Sequence, residues 1–192
     1  MRFDLLFDDL EAELETRLAV EGAQQRGEEE RLRAARTTLR ERIAVLAGAA
    51  GGIRVRLIDG SSLDVVPGTV GRDWFAADLP GGGQCLVPLA AVASLSLSAQ
   101  QAAASRRRAP EEGPHALSGK IGIGVVLRDL ARRRVPVDLM SRAEAAMLHG
   151  TIDRVGADHL DLAVHERGAA RRASSVLEHR IVALAAITQL RL

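Results

Sequence analysis

One eleven-residue pattern occurs twice in this chain. Residues 87–97 read Val-Pro-Leu-Ala-Ala-Val-Ala-Ser-Leu-Ser-Leu, and residues 182–192 read Val-Ala-Leu-Ala-Ala-Ile-Thr-Gln-Leu-Arg-Leu. Both fit Val-x-Leu-Ala-Ala-(Val/Ile)-x-x-Leu-x-Leu. Upstream of each lies a second match, Gly71-Arg72-Asp73-Trp74 against Gly156-Ala157-Asp158-His159. Further upstream Ile53-Arg-Val-Arg-Leu57 matches Val135-Pro-Val-Asp-Leu139. Three matches in one order indicate an internal duplication, so whatever the first copy folds into, the second is expected to repeat.

The first copy reads as β-structure. Ile53, Val55 and Leu57 alternate with Arg54, Arg56 and Ile58, and Asp59-Gly60 offers a hairpin turn. Leu63–Val66 and Trp74–Leu79 read as the next strands, with Pro80-Gly-Gly-Gly83 as a turn. Residues 84–88 and 91–97 are the last two, separated by a tight corner at Leu89-Ala90. Five short strands in 53–97 predict a small, strongly bent barrel. The second series, Val135–Leu192, is ten residues longer between Gly156 and Val182. The extra length falls in a polar hairpin loop at Glu166–Arg180. A helix is predicted over Ser118–Arg134, although Gly119, Gly122 and Gly124 would each cost a helix interior about 1 kcal/mol. Residues 98–117, with Arg106–Arg108 and Pro110-Glu-Glu-Gly-Pro114, read as a linker.

The N-terminal part is helical in pattern. Phe3, Phe7, Leu10, Leu14 and Leu18 form one apolar stripe opposite a face of aspartates and glutamates. The stretch Glu21–Glu30 contains Gly22 and Gly27 and loses the stripe, so it reads either as a solvated helix or as a break. The stripe resumes at Leu32, Ala35, Leu39, Ile43 and Leu46 and stops at the glycine- and alanine-rich run 48–52. Whether residues 1–48 form one helix or two is open at this level.

Charge is unevenly spread. Residues 1–30 carry a net −7 and the remainder +8, for a chain total of +1. The acidic part could engage the basic part of the same or another molecule, or the basic part could face an acidic partner. Of 26 basic residues only Lys120 is lysine, a bias that fits GC-rich codons and weakens any case that arginine was chosen for its chemistry. The lone Cys85 permits no intrachain disulfide and no cysteine-based metal cluster. A cytoplasmic setting is expected, with no membrane partner, since no apolar run approaches the ~18 residues a bilayer requires.

A helix, five short bent strands and a corner into the last strand resemble the Sm-like small-barrel superfamily. Val55-Arg-Leu-Ile-Asp-Gly60 looks like that family's first strand and turn. Gly68–Leu79 looks like its Gly-x-hydrophobic…Asp-x-x segment, and Val87–Leu95 is similar in spacing to its last two strands. The resemblance covers most of 31–97 and 118–192. It implies single-stranded RNA binding through an Asn after the Asp-x-x segment and an Arg-Gly pair at the later corner. Here those positions hold Ala76 or Ala77, and Pro88-Leu89 or Ala183-Leu184, so the RNA-contacting residues do not carry over. The arrangement is also similar to helix-plus-barrel proteins of high-GC Gram-positive bacteria.

Candidate site residues follow from these patterns. If Phe75, Ala77 and Leu79 point into the barrel, the strand period of two turns Trp74 outward, where it would stack on a base or anchor a partner unless a helix or the other barrel covers it. Phe3, Phe7, Leu10 and Leu14 would anchor the N-terminal helix in a groove, on a partner or on a second copy. Arg106, Arg107, Arg108, Arg132, Arg133, Arg134, Arg171 and Arg172 are the candidate phosphate contacts. Histidines 159 and 165 share a strand with Asp161, and His149 and His179 lie nearby. Their spacing is not that of a metal site, so no metal or other cofactor is expected. Nor does any nucleophile stand beside an evident base.

The sequence therefore predicts an α+β chain: a long N-terminal amphipathic helix, then two small Sm-like five-stranded β-barrels, each preceded by a helix. Its regions are a helical 1–50, a first barrel over 53–97, a linker over 98–117, and a helix plus second barrel over 118–192. A barrel of this size buries little surface alone, so the two are expected to share an apolar seam with each other or with the helices. The functional expectation is a non-enzymatic protein-interaction scaffold with the N-terminal helix as docking or homodimerisation arm; the alternative is nucleic-acid binding.

Overall fold

A computed structural model describes residues 2–47, 51–107, 118–168 and 172–192; within the first helix, the side chains of residues 2–12, 20 and 26 lie outside that description. The chain divides into two compact units, residues 1–38 and 39–192.

The first unit is one helix, α1 (Arg2–Arg36). The break considered near Gly22 and Gly27 does not occur. The surrounding Ala, Glu, Gln and Arg are strong helix formers and outweigh two glycines. The helix stops instead at Thr37, whose backbone N–H and Oγ1 both donate to the Arg33 carbonyl at 3.0 and 2.9 Å. Paired β-branched threonines lose χ1 freedom in a helix, and their hydroxyls compete for backbone partners.

The second unit begins with α2 (Leu39–Ala47), which buries Ile43 and Leu46. Five strands follow: β1 (Ile53–Leu57), β2 (Ser62–Val70), β3 (Trp74–Asp78), β4 (Gln84–Pro88) and, after a single 3-10 turn at Leu89–Ala91, β5 (Val92–Ser96). The predicted corner is this 3-10 turn. Next comes α3 (Ala99–Ala104), then a 3-10 turn at Ser118–Lys120 and α4 (Ile123–Arg133). The second series is β6 (Pro136–Ser141), β7 (Leu148–Val155), β8 (His159–His165), β9 (Val176–Ala183), a 3-10 turn at Leu184–Ala186 and β10 (Ile187–Arg191). The extra length of the second copy goes partly into strands, since β8 and β9 run seven and eight residues against five for β3 and β4.

Two local expectations change. Residues 99–104, read as linker, are helical because Ser98 and Gln101 form a reciprocal capping box. The Gln101 side chain also donates to the Gly52 carbonyl, and Ser105 is buried against the Arg42 guanidinium. The glycines of 118–134 cost less than expected, because Gly119 lies in the 3-10 turn and Gly122 is the N-cap of α4, leaving only Gly124 inside the helix.

The ten strands form one antiparallel sheet in the order β5-β1-β2-β3-β4-β10-β6-β7-β8-β9, and it does not close. The two separate closed barrels expected from the sequence are not what forms. Each half is an open five-strand series, and β4 of the first pairs with β10 of the second, Leu86 opposite Leu190 and Cys85 opposite Arg191. The long β2 serves two partners, pairing β1 through 62–65 and β3 from Val66 onward, with an irregularity after Pro67. Pro67 has no N–H to give a ladder and suits that bend.

The core is correspondingly double. One cluster gathers Ile43 and Leu46 of α2 with Val55, Leu57, Phe75 and Val87. The other gathers Leu127 of α4 with Leu139, Ile152, Leu160 and Leu190, and it includes Trp74 and Leu86 from the first half. The shared seam expected on size grounds therefore exists, built from outward-facing side chains of β3 and β4.

Candidate interaction surfaces

Trp74 was expected to face outward, as an anchor unless a helix or the other barrel covered it; the cover is present, so the anchor role is corrected to that of a buried residue. The strand parity holds: Phe75 and Ala77 enter the first core, while Trp74 faces away from it. The outward face is nonetheless covered, and Trp74 is only 6% exposed. Its Nε1–H donates to the Ile121 carbonyl at 2.9 Å, and the same carbonyl accepts the Arg72 backbone N–H at 2.9 Å. Asp73 Oδ1 accepts the N–H of Ile123, the first residue of α4, at 2.7 Å. A carboxylate there also suits the positive end of the helix dipole. The Gly-Arg-Asp-Trp motif is thus a clasp that holds the start of α4 against the first half. Gly71 is required by it, because a Cβ there would sit 2.2 Å from Trp74 Nε1.

The second motif makes the same turn. Gly71 N–H donates to the Trp74 carbonyl and Gly156 N–H to the His159 carbonyl, both at 2.8 Å. The N–H of Leu89 donates to the Asp73 carbonyl at 2.9 Å, and that of Leu184 to the Asp158 carbonyl at 2.7 Å. A Cβ at Gly156 would likewise strike the His159 ring. Here the ring is half-exposed and its Nδ1 meets Asp158 Oδ1 at 2.8 Å. That contact, with the charge of His159, holds the Asp158 carboxyl below its usual range.

A second contact crosses the seam. Thr188 of β10, fully buried, donates through Oγ1 to Asp59 Oδ2 at 2.6 Å. Partial burial alone would push the Asp59 carboxyl up. The hydrogen bonds from Ser61 and Thr188 outweigh it and hold the group below the usual carboxylate range. Neither residue carried a recognisable signal in the sequence, because Asp59 reads as an ordinary turn residue and Thr188 as an ordinary strand residue.

The other predicted residues are distributed as follows. On α1, Leu14 and Leu18 are 58% and 59% exposed. Phe3, Phe7 and Leu10 lie on the same helix, with side chains outside the described set. Arg106 and Arg107 are exposed after α3, and Arg172 is exposed before β9. Arg132 and Arg133, in the last turn of α4, both pair with Asp129 at 2.7 Å, and Arg134 closes that helix in a left-handed conformation. Arg108 and Arg171 fall outside the described residues.

The histidines separate into unrelated settings. His165 is buried, its Nδ1 against the Glu166 carbonyl at 3.0 Å and its Nε2 against Thr151 Oγ1 at 2.9 Å. A carbonyl only accepts, so Nδ1 carries a proton and donates to it. His149 stands edge-on to it with centroids 5.1 Å apart, and its Nδ1 meets Asp138 Oδ1 at 2.8 Å. Asp138 also binds Arg167 at 2.7 Å. This network ties β6, β7 and β8 together. His159 and His179 take no part in it, and among the described residues no group of three or more His, Cys, Asp or Glu side chains is placed to hold a metal.

Among the described residues the sheet ends in two strands with no further neighbour in it, β5 and β9. Along β9, Leu177 and Ile181 are exposed apolar side chains, and Glu178 and His179 are exposed polar ones. No helix is long and apolar enough to cross a membrane among the described residues. No family model, curated protein or solved structure matches the chain.

Proposed function

We propose that this chain is a non-enzymatic binding and assembly module, in which the sheet unit is the rigid body and α1 is the arm that docks on a protein partner or on a second copy of itself. The observation that carries this reading is the state of α1: a 35-residue helix, its own compact unit, with Leu14 and Leu18 more than half exposed on its apolar stripe. Apolar area left in water forgoes about 25 cal/mol per Å², so a stripe on so long a helix favours a covering surface. The −7 charge of residues 1–30 adds a preference for a basic face.

The polar interior supports a structural role for the body. His165 and Thr151, and Asp59 and Thr188, satisfy one another and leave their chemistry committed to the fold. Nucleic-acid binding has less behind it, because Arg132 and Arg133 already share Asp129.

The test replaces Leu14 and Leu18 with glutamate in the full chain. Both are exposed, so folding should be unaffected. The arm's own share of self-association, read as a lower mass by light scattering than the parent's at equal concentration, or partner capture in a pull-down, should be lost. A variant that behaves as the parent in both assays would defeat the reading.

A further inference from the structure

Helix α1 carries its charge in two zones. Residues 1–15 hold six acids and one base, a net −5, whereas residues 31–36 hold Arg31, Arg33 and Arg36 and no acid, a net +3. The helix dipole favours that polarity only within the first and last turns, so it accounts neither for the acids at 8–15 nor for Arg31. Among the described residues of α1 no side chain is buried, and Leu14, Leu18 and Leu32 are 58%, 59% and 55% exposed. We infer that α1 docks on α1 of a second copy, antiparallel, with Leu14 of each helix set against Leu32 of the other. The pairing rests on the reading of α1 as the docking arm, and it names the occupant and its direction.

Helical geometry fixes the register. Leu14 and Leu32 are eighteen residues apart, which is five whole turns at about 3.6 residues each, so they share one line along the helix. Glu21 and Gln25 lie within about 20° of that line and Leu18 within about 40°. With Leu14 against Leu32, Glu21 comes level with Gln25 of the second copy, whose amide can donate to the carboxylate. One polar pair in an apolar seam holds the register. The flanking charges agree. Glu13 and Arg31 lie about 100° to one side of the line, Glu15 and Arg33 about 100° to the other. Antiparallel helices related by a two-fold axis bring matching sides together, so Glu13 meets Arg31 and Glu15 meets Arg33, each pair formed twice. Arg17 and Glu28 share the first side and meet in the same way.

Charge decides the direction. Parallel helices bring unlike sides together, which places Glu13 beside Glu15 and Arg31 beside Arg33, and like charges at such spacings repel. Glu13 already meets Arg17 of its own helix at 2.6 Å, but both side chains are exposed, and so exposed a pair holds Glu13 only weakly. The sheet unit offers a poorer basic partner than the second helix does. Arg132 and Arg133 already share Asp129, and Arg180 is held by Glu144 and Glu178. The apolar line supplies affinity and the flanking charges supply orientation. The contact uses the same surface on both copies, so it closes at two.

The test reverses charge in full-length chains. One variant carries Glu13→Arg and Glu15→Arg, a second Arg31→Glu and Arg33→Glu, and a third all four substitutions; every site is exposed. Mass is followed by light scattering over a wide concentration range at low salt. The parent should reach two copies. Each two-site variant alone sets like against like at all of these contacts and should dimerise about a hundredfold more weakly. An equimolar mixture of the two, and the four-site chain alone, should each dimerise as the parent does, and that recovery shows that the variants fold. Antiparallel pairing is overturned if the parent stays monomeric, if either two-site variant dimerises as the parent does (the result for parallel helices), or if the mixture or the four-site chain fails to recover. A monomeric parent whose partner capture is still lost on Leu14→Glu and Leu18→Glu keeps the docking arm and gives it a different occupant. A Leu14 and Leu18 variant indistinguishable from the parent removes the arm itself.

Discussion

Trp74 illustrates how far one residue can be read. Alternation along β3 placed it opposite Phe75 correctly, since a strand's side chains change face at every step. What lies over that face depends on a segment 47 residues away, and the Ile121 carbonyl that receives the indole N–H has no local signature. Truncating Trp74 to alanine should cost about 3–5 kcal/mol, as for other large buried side chains. Trp74→Phe keeps most of the bulk and loses the hydrogen bond, for about 1 kcal/mol. Gly71→Ala should fall between the two, at about 1–3 kcal/mol, because its Cβ displaces the ring. Urea unfolding of the three variants checks this order, and a Gly71→Ala chain as stable as the parent would contradict the clasp. Asp59 gives a pH test. Its carboxyl is held below the usual range in the fold, so its contribution is present above the unfolded-state value of about 4 and is lost as pH falls through the lower folded-state value. Thr188→Val should remove about 1–2 kcal/mol at neutral pH and flatten the decline in stability below pH ~4. Parallel pH curves for parent and variant would show that the bond is not coupled to the titration.

At the scale of elements, the β4–β10 pair joins the two halves of the second unit together with the clasp at Trp74 and the Thr188–Asp59 bond, and Cys85 reports on it. The thiol is buried and lies opposite Arg191 across the seam. Burial pushes its pKa up, the Arg191 charge offsetting only part of that, so little thiolate is available to react. A thiol reagent should label native protein at least tenfold more slowly than denatured protein, with the rate rising in variants that loosen the seam, such as Thr188→Val. Fast labelling of the native chain would mean that β4 and β10 are not held together. The helices tell a related story. The apolar stripe of α1 is legible at 3.6-residue spacing, but its end at Thr37 rather than near Gly27 reflects two threonines against two tolerated glycines. The short α3 was hidden in a polar segment, though its Ser98–Gln101 capping box was there to be read.

For the whole molecule, duplication is the organising fact. It appears as matched hydrogen bonds at Gly71 and Gly156 and at Leu89 and Leu184, and as two 3-10 corners on the same Leu-Ala-Ala triplet. The two halves join along one sheet, which leaves β5 and β9 at its ends. Helix α1 stands outside that sheet as a unit of its own and carries the exposed stripe, so assembly state is the property most worth measuring.

Periodicity, turn residues and the repeat were enough to establish an α+β chain, the approximate positions of the first copy's strands and its corner, and the equivalence of the halves, though β2 runs on to Val70 and β9 begins inside the expected loop, at Val176. These are local matters: φ/ψ preference and the alternation of side chains act over a few residues. Which strand neighbours which was not accessible in that way. A backbone edge bonds to any other edge of suitable direction, so the choice of β10 for β4, the absence of closure, and the cover over Trp74 were settled by which apolar faces, brought together through space, exclude the most water.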